Sequence, residues 1–189
     1  MHDIEPFFRW RDEYRAEDDE KSPFYNREYS EFGFSNSIYN YYIHPQWDDF
    51  GSQTLYIKIL FADYKKNYAI IELIGEWNDA LYNDIMYLKR YVCDYLIREK
   101  IYKFILICDN VLNFHGDDDS YYEEWYDDIK DENGWIVNIN LLPHVKEEML
   151  YYNLDNYINM PDSFNDMEWR LMKPENIFDS IDKYINKKQ

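Results

Sequence analysis

The densest group of chemically competent side chains runs from Asp109 to Glu124, and it contains Asp109, His115, Asp117, Asp118, Asp119, Glu123 and Glu124. Carboxylates beside one imidazole are hard donors suited to Mg²⁺, Ca²⁺ or Mn²⁺. A divalent metal is therefore one candidate ligand, and a metal-dependent enzyme one candidate function. The spacing does not follow an EF-hand loop, which alternates its ligands around a central glycine and ends on glutamate. The same residues also read as a solvated acidic loop leading into a helix, where acids are favoured by the helix dipole. Ser120 has two readings as well. Ser120-Tyr121-Tyr122-Glu123 fits a capping box. A hydroxyl at a helix start is also a phosphoacceptor candidate, since a phosphate gains from the helix N-terminus. Here Asp117, Asp118, Asp119, Glu123 and Glu124 would repel that phosphate.

Other chemistries lack their residues. No Gly-x-Ser-x-Gly elbow occurs, and Gly33, Gly51, Gly75, Gly116 and Gly134 are too scattered for a phosphate cradle. Acid–base pairs such as Asp109 with Glu123 can be drawn, but nothing in the sequence sets their separation. Cys93 and Cys108 sit in apolar patterns and are expected as small buried residues. His144, beside Pro143 at a helix start, is expected to be structural, and His44 before Pro45 a turn residue. No catalytic residue is assigned and no cofactor is required.

The chain carries 38 acids against 20 bases, a net charge of −18. Such a surface repels nucleic acid and anionic membranes and suits a basic protein partner. The charge is uneven: residues 109–133 hold ten acids and one base, half of the net total. The segment Met1-His2-Asp3-Ile4-Glu5-Pro6 has no secretory pattern, and no apolar run nears the ~18–20 residues of a membrane span. A cytoplasmic location is expected.

The elements that must position these residues follow from periodicity. Leu55–Ala62 and Tyr68–Ile74, joined by a short polar turn, read as an antiparallel hairpin. Ile71, Leu73 and Gly75 fall on one face, and Ile70, Glu72 and Ile74 on the other. Asn78 reads as an N-cap, followed by a helix to about Arg98 with Leu81, Ile85, Leu88, Val92 and Leu96 as its apolar stripe. Lys103–Cys108 is nearly all apolar, as in a strand covered on both faces. A helix with Tyr122, Trp125 and Ile129 inward follows the acidic loop. Trp135–Leu141 is the next strand, and Pro143 opens a helix with Val145, Met149 and Tyr152 inward. A fifth short strand falls at Tyr157–Met160 or Glu168–Met172. Pro174 starts a last helix with Ile177, Ile181 and Tyr184 in register.

The fold class is therefore α/β: a mixed central sheet with an N-terminal antiparallel hairpin followed by βαβ crossovers. Residues 51–189 form this domain. Residues 1–50 form an aromatic, charged extension that either packs on the sheet or presents a partner-binding face. Within the extension, residues 7–20 suggest a short helix and Ser37–Ile43 a strand.

Three stretches resemble the STAS domain of the anti-sigma factor antagonists. Ile71-Glu72-Leu73-Ile74-Gly75-Glu76-Trp77-Asn78 looks like the family's strand ending in Leu-x-Gly-Glu. Phe104–Asn110 is similar to its apolar strand before the signalling loop, and Trp169–Ile185 to its last strand and helix. The resemblance covers roughly residues 55–185. It implies a non-enzymatic regulatory domain that binds a protein and carries a phosphorylatable residue in that loop. Asp119-Ser120 occupies the comparable place, but Tyr121 and Tyr122 follow where the family has a glycine turn. Three functions remain in view: a protein-interaction domain using an acidic face, an acidic inhibitor or immunity protein against a basic enzyme, and a metal-dependent enzyme at residues 109–124.

Overall fold

The computed structural model describes residues 4–30 and 32–188. Residues 1–3, which entered the reading of the N-terminus, lie outside the described residues.

A small hairpin, β1 (Ser37–Ile38) and β2 (Tyr41–Tyr42), precedes the main sheet. The sheet holds β3 (Leu55–Asp63), β4 (Tyr68–Asn78), β5 (Lys103–His115), β6 (Trp135–Ile139) and β7 (Ile158–Asn159) in consecutive order. β3 pairs antiparallel with β4, and every later pair is parallel. Between the strands lie α1 (Asp79–Tyr82), α2 (Asp84–Leu88), α3 (Asp94–Arg98), α4 (Ser120–Lys130) and α5 (Pro143–Tyr151), and α6 (Pro174–Lys188) ends the described chain. This is the mixed α/β sheet with an opening hairpin that the sequence implies.

One core lies on the face under the crossover helices. Ile57, Ile71, Leu73, Phe104 and Leu106 from the strands meet Ile85, Leu88, Trp125, Ile129, Val145 and Met149 from the helices. The other face is covered by α6 and the N-terminal segment. Ile70, Ile105, Ile107 and Val137 meet Ile177, Phe178, Ile181 and Trp10 there. Phe7, Trp10 and Trp169 form an edge-on trio with ring centroids 4.9–5.7 Å apart, and the Trp10 indole donates to the Met172 carbonyl at 3.2 Å. Further along the chain, Phe24, Trp47 and Phe50 are buried, whereas Phe32, Tyr39, Tyr41 and Tyr42 are exposed. The aromatic segment thus divides between packing and surface.

Several local expectations are corrected. Residues 7–20 form turns instead of a helix. Ser37–Ile43 is a hairpin instead of one strand, because Tyr39 takes φ +52° and reverses the chain. The helix after Asn78 is broken: Asn78 does cap it, accepting from Leu81 N–H at 3.0 Å, but Asn83 sits at φ +53°. That left-handed residue turns α1 away from the core, leaving Leu81 75% exposed, while Ile85, Leu88, Val92 and Leu96 are buried as expected. Lys89–Cys93 then winds as a π-helical turn. β5 continues to His115, well past Cys108, and β6 stops at Ile139. Ile158–Asn159 makes the fifth strand, and Trp169–Leu171 is a 3₁₀ turn. The cysteines are buried and free.

Gly75 shows why the Leu-x-Gly-Glu end of β4 needs glycine. Its φ is +120°, and a Cβ there would meet the Thr54 carbonyl oxygen at 2.1 Å and Ile38 Cδ1 at 2.5 Å. Glycine lets the hairpin and the start of β3 close onto β4. Two residues further on, the Trp77 indole donates to Asp79 Oδ1 at 3.0 Å. Ile85 N–H donates to the same oxygen at 2.8 Å, and Tyr122 O–H to the other at 2.5 Å. Burial nevertheless pushes Asp79 up to about 7.

Glu72 is a charged residue at the second core, 1% exposed. It accepts from Phe7 N–H at 2.9 Å and from Arg170 Nη2 at 3.2 Å. Burial pushes its pKa from 4.5 up to about 7, against the lowering pull of these two donors. The folded chain therefore holds this proton more tightly than the unfolded chain. Its contribution to stability is present at low pH and is lost as pH rises from about 4.5 through about 7. Asp79 acts in the same direction. Two outcomes follow. Trp10→Ala should lower unfolding free energy by about 3–5 kcal/mol in urea titrations, whereas a segment outside the fold would give no change. Glu72→Gln should reduce the fall in stability between about pH 5 and pH 7, leaving the part due to Asp79 and Asp84, whose burial also raises them; an unaltered slope would show that Glu72 does not titrate there.

Candidate functional site

The acidic cluster stands at the carboxyl end of β5, where open α/β sheets commonly bind ligands. Its geometry is set by how far β4 and β5 overrun their neighbours. β6 leaves β5 at Ile107, opposite Ile139, whereas β4 follows β5 until Asn78 faces His115. Two bulges in β5, one between Ile107 and Asn110 and one between Val111 and Asn113, each give it one more residue than β4 over the same stretch. The result is a parallel ribbon projecting past the sheet. Measured along the paired β4 at about 3.3 Å per residue, Asp109 and His115 lie roughly 15 Å apart along the ribbon. They do not belong to one site.

The candidate residues separate into three groups. Asp109 turns toward the α6 face. It accepts the Trp169 indole N–H at 2.8 Å and a short hydrogen bond from Arg170, which also reaches Glu72. Arg170 lies over the Trp169 ring at 4.3 Å. These residues border a cleft of about 500 Å³ lined by Asn140 and the 165–171 segment. Asn140 exchanges two hydrogen bonds with the Met167 backbone, at 2.9 and 3.0 Å, which hold that segment in place. The cleft thus contains an arginine already neutralised by two carboxylates.

The second group faces outward at the ribbon tip. His115, Asp117, Asp118 and Glu123 are exposed. Asp118 accepts the Ser120 N–H at 2.9 Å and the Ser120 hydroxyl. Those two bonds hold its carboxyl below the usual range. Asp119 caps α4 by position: its carbonyl accepts from Tyr122 N–H and Glu123 N–H at 3.0 and 2.9 Å. Its side chain instead accepts from the Tyr157 hydroxyl at 3.0 Å. Ser120 is therefore the first residue of the helix and not its cap, and the capping box with Glu123 does not form. The reason is competition: Asp118, two residues back, takes both the Ser120 amide and its hydroxyl. The Ser120 hydroxyl is exposed and faces a carboxylate.

Glu124 belongs to a third group between α4 and the α2–α3 region. It forms a two-pronged pair with Arg90 at 2.5 and 2.7 Å. Beside it, Lys89 is fully buried and reaches Asp94, Asp128 at 2.8 Å and Glu124 at 3.6 Å. These pairs tie α4 to the helix that precedes β5. Among the described residues, no three His, Cys, Asp or Glu side chains converge as metal ligands would. His144 is structural in geometry: its Nε2 lies 2.7 Å from the Leu112 carbonyl oxygen and so carries a proton.

Glu72, Arg170 and Lys89 were missed by sequence reasoning. Glu72 had a signal, since one acid stands inside the apolar run Ile70–Ile74. Lys89 had a fainter one, since it follows Leu88 on the buried side of the helix. Arg170 had none, because its partners lie 61 and 98 residues away.

No family model matches the chain, and no curated protein matches it. Among solved structures it is similar to the anti-sigma factor antagonist SpoIIAA in its unphosphorylated form, at 11% identity over 67% of this chain and 96% of that chain, with a TM-score of 0.46. It is similar to a candidate anti-sigma factor antagonist from Thermotoga maritima at 14% identity over 66% and 91%, with a TM-score of 0.43. A third match is the Bacillus cell fate determinant SpoIIAA in the phosphorylated form, at 10% identity over 66% and 98%, with a TM-score of 0.42. These are STAS-fold structures, and the likeness to them is at low sequence identity.

Proposed function

We propose that this chain is a protein-interaction domain that binds a basic partner through the outward face of the acidic loop and α4. The observation that carries this reading is the placing of acids where local physics disfavours them. Asp131 and Glu132 stand at the C-terminal end of α4, the negative end of its dipole, and both are exposed. Each acid there costs about 0.3–1 kcal/mol. Glu123, Asp127 and Asp131 recur at i, i+4 and i+8, a stripe of like charge that weakens a helix further. Asp127 is relieved by Lys130 at 2.6 Å. Asp117, Asp118, Glu123, Asp131 and Glu132 have no cation partner among the described residues. Charge left uncompensated on a rigid helix suits recognition of a positive surface and speeds encounter with it.

Ion pairs across an interface are screened by salt, with a Debye length of about 8 Å at physiological ionic strength. An inhibitor of a basic enzyme is the special case in which the bound partner loses activity. The test uses the full chain immobilised against an extract of its host, beside the variant Asp131→Asn/Glu132→Gln. The variant should be more stable in urea by about 0.3–1 kcal/mol per site and should recover less of any salt-eluted basic protein. Equal recovery by both chains would sink the acidic-face reading, whatever the change in stability.

A further inference from the structure

A second surface stands apart from α4: the β1–β2 hairpin and the end of β4 beneath it. Its inner side is anchored, with Ile38 and Ile43 packed on Trp47, Tyr56 and Ile74. Around this anchor the hairpin carries exposed aromatic rings. Phe32 is 87% exposed, Tyr39 63%, and Tyr41 and Tyr42 57% each. Scattered exposed aromatics are ordinary, but five in eleven consecutive residues, Phe34 included, are a concentration of the kind that marks interaction sites.

The sequence of this stretch is acidic. From Glu28 to Ile57 the sequence contains no lysine or arginine and four acids, of which Asp48 is buried and paired with Arg27 and Lys58 from either side. Glu76, at the end of β4, accepts from the Tyr39 hydroxyl at 2.6 Å and from the Asn113 amide at 3.1 Å. Both donors are neutral, and no cation pairs with this carboxylate among the described residues. Tyr39 itself is held at a cost. It occupies a turn position with φ +52°, where glycine or asparagine is the unstrained choice. Backbone strain of this kind is kept where the side chain serves a purpose.

We infer that the hairpin binds an arginine-bearing segment of a protein partner, the guanidinium groups stacking on Tyr41, Tyr42 and Tyr39 with Glu76 as their counter-charge. A planar guanidinium is weakly hydrated and stacks on aromatic faces, which an ammonium does less well. Electron-rich rings with the Glu76 carboxylate at Tyr39, and no lysine or arginine in the hairpin sequence, meet both requirements. Nothing in this reading depends on the acids of α4.

The probes are fluorescein-labelled nona-arginine and nona-lysine, titrated with the full chain by anisotropy at about 0.15 M salt. The arginine peptide should bind more tightly than the lysine peptide. Tyr41→Ser/Tyr42→Ser should weaken the arginine peptide about tenfold and leave the lysine peptide unchanged. Tyr41→Phe/Tyr42→Phe keeps the rings and should retain the wild-type affinity, which separates loss of stacking from loss of folding. Asp131→Asn/Glu132→Gln should preserve the arginine preference even if overall binding weakens, so failure of the α4 reading and failure of this one are distinct. Equal binding of the two peptides, or full affinity in the serine variant, would overturn the inference. So would a doubled mass in light scattering that the serine variant abolishes, since the patch would then be a self-association face.

Discussion

The rest of the structure depends on covering a sheet whose strands run in consecutive order. β4 to β7 are parallel, and parallel strands are stable only when both faces are buried. Each right-handed crossover from β4 to β5 to β6 to β7 steps the same way across the sheet, so every crossover helix falls on one face. A sheet whose order reverses would place helices on both sides by itself. Here the second face has no crossover helix, and the chain covers it from its two ends: α6 on one side and Phe7–Trp10 beside it. The two meet at Trp169, against which both Phe7 and Trp10 pack. Residues that look like an appendage in the sequence are therefore a wall of the core.

The same constraint places the buried charges. Where the two covers meet, neither supplies a continuous apolar surface, and the seam is closed by Glu72, Arg170 and Asp109. Glu72 bonds the N-terminal segment through Phe7 and the segment before α6 through Arg170. A buried carboxylate with two donors fixes the position of both covers more sharply than leucine would, at some expense in stability. Its raised pKa is the sign of that expense. On the opposite face, Lys89 plays the corresponding part for α4, which it ties to the preceding helix through Asp128 and Asp94.

Legibility in the sequence followed the range of the interactions. The hairpin β3–β4 and the stripes Tyr122/Trp125/Ile129 and Ile177/Ile181 rest on neighbours within two to four positions, and periodicity reveals them. Asn83 breaks a helix whose apolar spacing continues through the break, so the spacing alone places Leu81 inward. The strand β5 runs on past Cys108 because β4 runs beside it, and the polar residues Asp109, Asn110 and Asn113 conceal this when read alone. That one misplaced boundary turned a strand into a loop. It gathered into a single candidate site Asp109 and His115, which the ribbon holds roughly 15 Å apart. The Ser120 capping box failed for a local reason, since Asp118 offered a closer acceptor than the helix did.

The division of the acids also bears on what α4 is for. Its inward face carries Tyr122, Trp125 and Ile129, all nearly or fully buried, so the helix cannot roll. The acids that face α2 and α3 meet Arg90 and Lys89, and their charge is used within the fold. The others point away at fixed angles set by that inward stripe. A flexible acidic tail would have the same charge with no geometry. A helix pinned by two aromatic rings and by ion pairs along one flank presents its remaining carboxylates in a fixed pattern, and the ordering entropy has been spent on folding and not on binding. The outward acids weaken the helix, and the apolar core beneath it offsets that loss. Stability is thereby drawn from one face of α4 and given up on the other.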